Sequence, residues 1–114
     1  MLRLIPFLVA ALSAFTPALV HADQIWTDVS LIDSACRLKV KGAPDAHTRE
    51  CALQCAGSGY GILTADGAYL PFDKVGNEQA LAALRASKKT DHLRVTVSGE
   101  RQGDRIAVRS LALR

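Results

Sequence analysis

The chain has 114 residues, 49% of them apolar and 22% charged, with 14 basic against 11 acidic side chains and a formal net charge of +3. That length, once a leader is removed, holds one small domain and excludes a multidomain architecture. The two charge signs are interleaved, which describes a solvated surface and excludes a dedicated polyanion binder.

Residues 1–22 read as an export signal peptide. Arg3 supplies the positive start, an apolar run follows, and Val20-His21-Ala22 places small residues where a signal peptidase reads, with cleavage after Ala22. Pro6 and Pro17 interrupt the run, which falls short of the roughly 20 apolar residues of a spanning helix. The expected product is residues 23–114, a single secreted or periplasmic domain with no membrane attachment after cleavage. A domain of roughly 90 residues buries about 60–65% of the surface its unfolded chain exposes, so a covalent staple or a bound metal would matter to it.

Alternation over residues 24–33 predicts a first strand, firmest over 27–32. Residues 37–41 alternate too, as a short basic segment before a turn at 42–45. The spacing predicts a helix over 46–56 with Asp45 as its N-cap, ended by Gly57, Ser58 and Gly59. Residues 60–65 and 68–72 read as strands joined by a two-residue Asp66-Gly67 hairpin, and Pro71 places the second at an edge. Gly76-Asn77 reads as the opening of a second helix, capped by Asn77, with Ala80, Leu81 and Leu84 on its buried face. Leu93, Val95 and Val97 share one face of the next strand. After a turn at 102–104, Ile106 and Val108 continue that face until a phase slip to Leu111 and Leu113, which suggests a bulge near Ser110. The fold class expected is mainly β with two short helices (α+β): a small five-stranded barrel like the oligonucleotide/oligosaccharide-binding (OB) architecture, or a half-open antiparallel sheet.

Asp33-Ser34-x-Cys36, His47-x3-Cys51-Ala52-Leu53-x-Cys55, Ser58-Gly59-Tyr60-Gly61, Asp66-Gly67, Phe72-Asp73, Gly76-Asn77 and Val95-Thr96-Val97-Ser98-Gly99 occur in that order. Together they resemble a group of small secreted bacterial proteins of uncharacterised function. The resemblance implies a signal peptide, a compact β-rich domain and a Cys/His cluster between the first two main strands. It implies no activity.

Chemistry is concentrated in residues 47–61. On a continuous helix His47, Cys51 and Cys55 recur every fourth residue and drift by only about 40° per step, so they share a face that Cys36 can fold back onto. Three cysteines in an exported protein allow three single bridges and leave one thiol over. Residues four apart on a helix hold their Cβ atoms about 5–6 Å apart, too far for a disulfide, which disfavours Cys51–Cys55. The leading expectation is a structural disulfide between Cys36 and Cys51 or Cys55, in a non-enzymatic exported domain with a binding role and no partner the sequence can name. The alternative is a metal-binding module in which Cys36, His47, Cys51 and Cys55 hold zinc or copper, as Cys3His sets do. A thiol-redox role comes third: the unpaired cysteine, Cys55 if exposed, would form a mixed disulfide with a partner. Ser58, Asp91 and His92 make only a loose hydrolase set, and Ser58 does not sit in a nucleophile elbow. Arg94, Arg101, Arg105, Arg109 and Arg114 lack the interleaved aromatics of a single-strand binder, so nucleic acid is not the expected partner. Trp26 is expected over one end of the barrel.

Overall fold

The alternating segment near the start forms β1 (Gln24–Asp33), whose second half is buried where Leu31 and Ile32 enter the core. A computed structural model describes residues 23–114 together with Ala10, Ala11 and Ser13; the expected leader otherwise lies outside the described residues. Among the described residues no helix is long and apolar enough to cross a membrane. β1 pairs antiparallel with β2 (Tyr60–Leu63) on one side and β4 (Arg94–Gln102) on the other. The ladder with β4 is interrupted between Trp26 and Val29, where Asp28 takes a φ of 53°. β3 (Tyr69–Pro71) and β5 (Arg105–Leu113) complete a five-stranded sheet in the order β3-β2-β1-β4-β5.

The sheet curls until its two edges touch once, at a parallel bridge between Phe72 and Ile106. The Asp73 N–H adds a bond of 3.0 Å to the Ile106 carbonyl. No closed barrel follows. Pro71 has no N–H to continue a ladder, and α2 (Lys74–Ala86) carries the chain away directly after Asp73. Of the two architectures expected, the half-open antiparallel sheet is the one adopted, with its long helix between the third and fourth strands.

Other boundaries moved for local reasons. Residues 37–41 form no strand: they follow a 3-10 turn, Ser34–Cys36, that winds the chain off the end of β1. The first helix shortens to α1 (Arg49–Gln54), because Thr48 and not Asp45 accepts from the third residue on, the Cys51 N–H. Asp45 sits instead in a second 3-10 turn, Pro44–Ala46, where both carboxylate oxygens take the Arg94 guanidinium at 2.8 and 2.9 Å. Asp73 caps α2 by accepting from the Gly76 N–H, while the Asn77 side chain accepts from the Tyr60 N–H. The β2–β3 connection runs over residues 64–68, longer than the two-residue hairpin expected; in it the Gly67 N–H closes a turn on the Thr64 carbonyl and Gly67 takes a φ of 86°. The bulge foreseen near Ser110 is present: Ser98 faces Ser110 but Gly99 faces Val108, leaving Arg109 unpaired in the ladder.

α2 lies against β5 and β2, and α1 lies against α2. The core between helices and sheet is built from Leu31, Ile62, Leu70, Phe72, Leu84 and Val97 with their neighbours, each almost completely buried. Each such side chain contributes about 1.5–3 kcal/mol of apolar burial. Gly76 lets α2 approach this closely, since a Cβ there would stand 2.4 Å from a Val108 methyl. Trp26 is half-buried and packs against the edge of the core.

Candidate metal centre

Asp33 is the last residue of β1, in register with Tyr60 at the start of β2, and is fully buried. An aspartate at a strand end serves naturally as the cap of a following turn. Its Oδ2 accepts from the Cys36 N–H at 3.1 Å, which folds the Asp-Ser-Ala-Cys segment back so that Cys36 stands over its own cap. The other oxygen, Oδ1, meets His47 Nε2 at 2.6 Å. His47 is itself buried, and it follows the Pro44–Ala46 turn with an extended backbone.

Three groups converge here. One ligand atom each from Asp33, Cys36 and His47 lie within 4.8 Å of one another. Cys55, the half-buried C-cap residue of α1, lies beside the same turn: Ser58 Oγ donates to its carbonyl at 2.8 Å and accepts from the Ala35 N–H at 3.1 Å. Burial pushes the Cys36 thiol up to about 11, and the hydrogen bond and charge of Asp33 and the neighbouring Cys55 push the same way. Burial also raises Tyr60 above the ordinary phenol range, with the Asp33 charge adding to it. The Tyr60 hydroxyl donates to the Ala52 carbonyl at 2.8 Å, which fixes α1 against the sheet beside the cluster. Arg49 secures the other side of α1, donating from Nε to the Leu84 carbonyl at 2.6 Å at the end of α2.

Of the four residues singled out from the sequence, Cys36, His47 and Cys55 belong to this neighbourhood. Neither the half-buried Cys55 nor Cys51, which is exposed on α1, is among the three residues whose ligand atoms converge. His47, Cys51 and Cys55 do not share a helical face, because α1 begins after His47 and ends before Cys55. All three thiols are free in this structure. Asp33 is the residue that sequence reasoning missed. Its signal was present in Asp33-Ser34-x-Cys36, the spacing at which a side-chain cap brings the third residue onward back to itself.

The other constellations are occupied locally. The Ser58 hydroxyl donates to the Cys55 carbonyl at 2.8 Å, whereas His92 pairs with its exposed neighbour Asp91. Arg94 is held by Asp45, Arg101 donates to the Gly103 carbonyl and Arg109 pairs with Asp23, as arginines on a solvated strand face do. Comparison with protein-family models, with curated proteins and with solved structures finds no match to this chain.

Proposed function

We propose that the protein is an exported, non-enzymatic domain whose role is to bind a transition metal ion, zinc or copper, at Asp33, Cys36, His47 and Cys55. The observation that carries this is the convergence within 4.8 Å of a carboxylate and a thiol from the end of β1 and its turn with an imidazole from a separate segment. Ligands of tetrahedral zinc stand roughly 3.3–3.8 Å from one another, so the Asp33–His47 pair, at 2.6 Å, would open to admit an ion. Thiolate and imidazole suit zinc, and a pair of thiolates suits Cu(I). Asp33 is a ligand or, by holding Nε2 of His47, the carboxylate that orients the imidazole for binding through its other nitrogen. A cation would displace the proton that burial and Asp33 hold on Cys36, so binding releases protons and weakens as pH falls.

A second reading draws on the nearness of the Cys36 turn to Cys55, the two segments being tied through Ser58 Oγ. In an oxidising compartment the two cysteines would join as a structural disulfide, leaving Cys51 as the free thiol. Elemental analysis beside a thiol count separates the readings. Metal binding predicts about one equivalent of zinc or copper, with Cys36 and Cys55 unreactive until a chelator is added. A structural bridge predicts metal-free protein with one titratable thiol before reduction and three after it. His47→Ala would weaken a metal site by about 10–100-fold or more and leave a bridge intact.

A further inference from the structure

Metal binding and disulfide formation draw on the same two sulfurs, so they exclude each other. Cys36 ends the turn that Asp33 caps and Cys55 ends α1, and Ser58 Oγ holds the two segments together by accepting from the Ala35 N–H at 3.1 Å and donating to the Cys55 carbonyl at 2.8 Å. Both residues are half-buried and neither is sealed in the core. Cys51 stands apart on α1, where its spacing from Cys55 is too long for a bridge. Loss of both thiolates would leave only the Asp33 carboxylate and the His47 imidazole, already bonded to each other, too few ligands to retain a tetrahedral ion.

We propose that Cys36 and Cys55 are a thiol–disulfide pair through which an incoming disulfide ejects the bound metal, an inference that rests on the metal-binding reading of this cluster. One protein thiolate attacks a sulfur of the incoming disulfide, forming a mixed disulfide and expelling the first leaving thiolate. The second protein thiolate then attacks the protein sulfur of that mixed disulfide and expels the other. Two electrons pass from the protein sulfurs to the incoming disulfide, which departs as two thiolates that take protons from solvent. Zinc leaves as the divalent ion, its oxidation state unchanged. The domain thereby holds zinc while both sulfurs are reduced and releases it when a small disulfide oxidises them.

The test uses the full exported chain, reduced, loaded with one equivalent of zinc, and then exposed to oxidised glutathione without air. A chromophoric chelator follows released zinc and peptide mapping identifies the bridge. The expected result is release of one equivalent of zinc in step with a Cys36–Cys55 bridge, unchanged in Cys51→Ser. Bound zinc that stays bound after glutathione treatment, or a bridge that includes Cys51, overturns the inference while leaving the metal-binding reading intact. Failure of the reduced protein to take up zinc at the loading step overturns the metal-binding reading, and this inference with it.

Discussion

Asp33→Ala removes the group on which the cluster is assembled. Its carboxylate is fully buried, caps the Ser34–Cys36 turn and bonds the buried His47 ring at 2.6 Å. Losing the cap costs about 1 kcal/mol, and leaving a buried imidazole without its partner costs about 1–3 kcal/mol more. The total of about 2–4 kcal/mol is a large share of the roughly 5–13 kcal/mol that holds a domain of this size together. With about 4–8 °C per kcal/mol, the melting temperature should fall by about 8 °C or more. Urea denaturation of the reduced, chelator-treated protein measures this without a metal contribution. A cycle of Asp33→Ala, His47→Ala and the double variant should give a coupling of about 1.5–3 kcal/mol, the range for a hydrogen bond to a charged group. Effects that add to within about 0.5 kcal/mol would refute the claim that these two residues act as one unit.

Alkylation of the chelator-treated, reduced protein by iodoacetamide should be slowest at Cys36, with its rate climbing as pH approaches 11, while the exposed Cys51 reacts first; mass-spectrometric peptide analysis reads both. The folded Cys36 thiol keeps its proton above the value of an unfolded thiol. Its contribution to stability is therefore whole below about pH 9, is lost as pH rises to about 11, and should disappear from the alkaline limb of a pH–stability curve in Cys36→Ser. The opposite sign holds for Asp45, which the Arg94 guanidinium holds below the ordinary carboxylate range. Its contribution is present above about pH 4 and is lost as pH falls through the folded value, so Asp45→Asn should flatten the acid limb. Gly76→Val should destabilise by about 1–3 kcal/mol or more in the same urea assay, because its side chain must displace Val108 from the α2–β5 contact.

The strands were legible because their pattern is a period of two with one buried face. Val95 and Val97, Ile106 and Val108, and the slip to Leu111 all announce themselves that way. Caps were harder, since several residues at each helix start carry a suitable oxygen. Asp45, Thr48, Asp73 and Asn77 all qualify, and tertiary partners decided among them: Arg94 took Asp45, and the Tyr60 N–H took Asn77. That choice also settled the cluster. A helix starting at Thr48 leaves His47 extended, and an extended His47 turns to Asp33 across the sheet end instead of lining up with Cys51. Cys36 and His47 were visible as candidates from their chemistry alone. Asp33 was not, because an aspartate at the end of a strand reads as a turn residue until its burial is known.

The central claim is that Cys36, Cys55 and His47, with Asp33, make one metal centre from which Cys51 is excluded. Titration of the reduced, full-length protein with cobalt(II), which adopts the tetrahedral geometry of zinc sites, tests it most directly. Cobalt bound by thiolates gives intense sulfur-to-metal absorption in the near ultraviolet. Saturation of those bands at one equivalent is expected for the wild type and for Cys51→Ser, with the bands weakened in Cys36→Ser, Cys55→Ser and His47→Ala. Absence of thiolate bands in the wild type, or their loss in Cys51→Ser with retention in Cys36→Ser, would contradict the account.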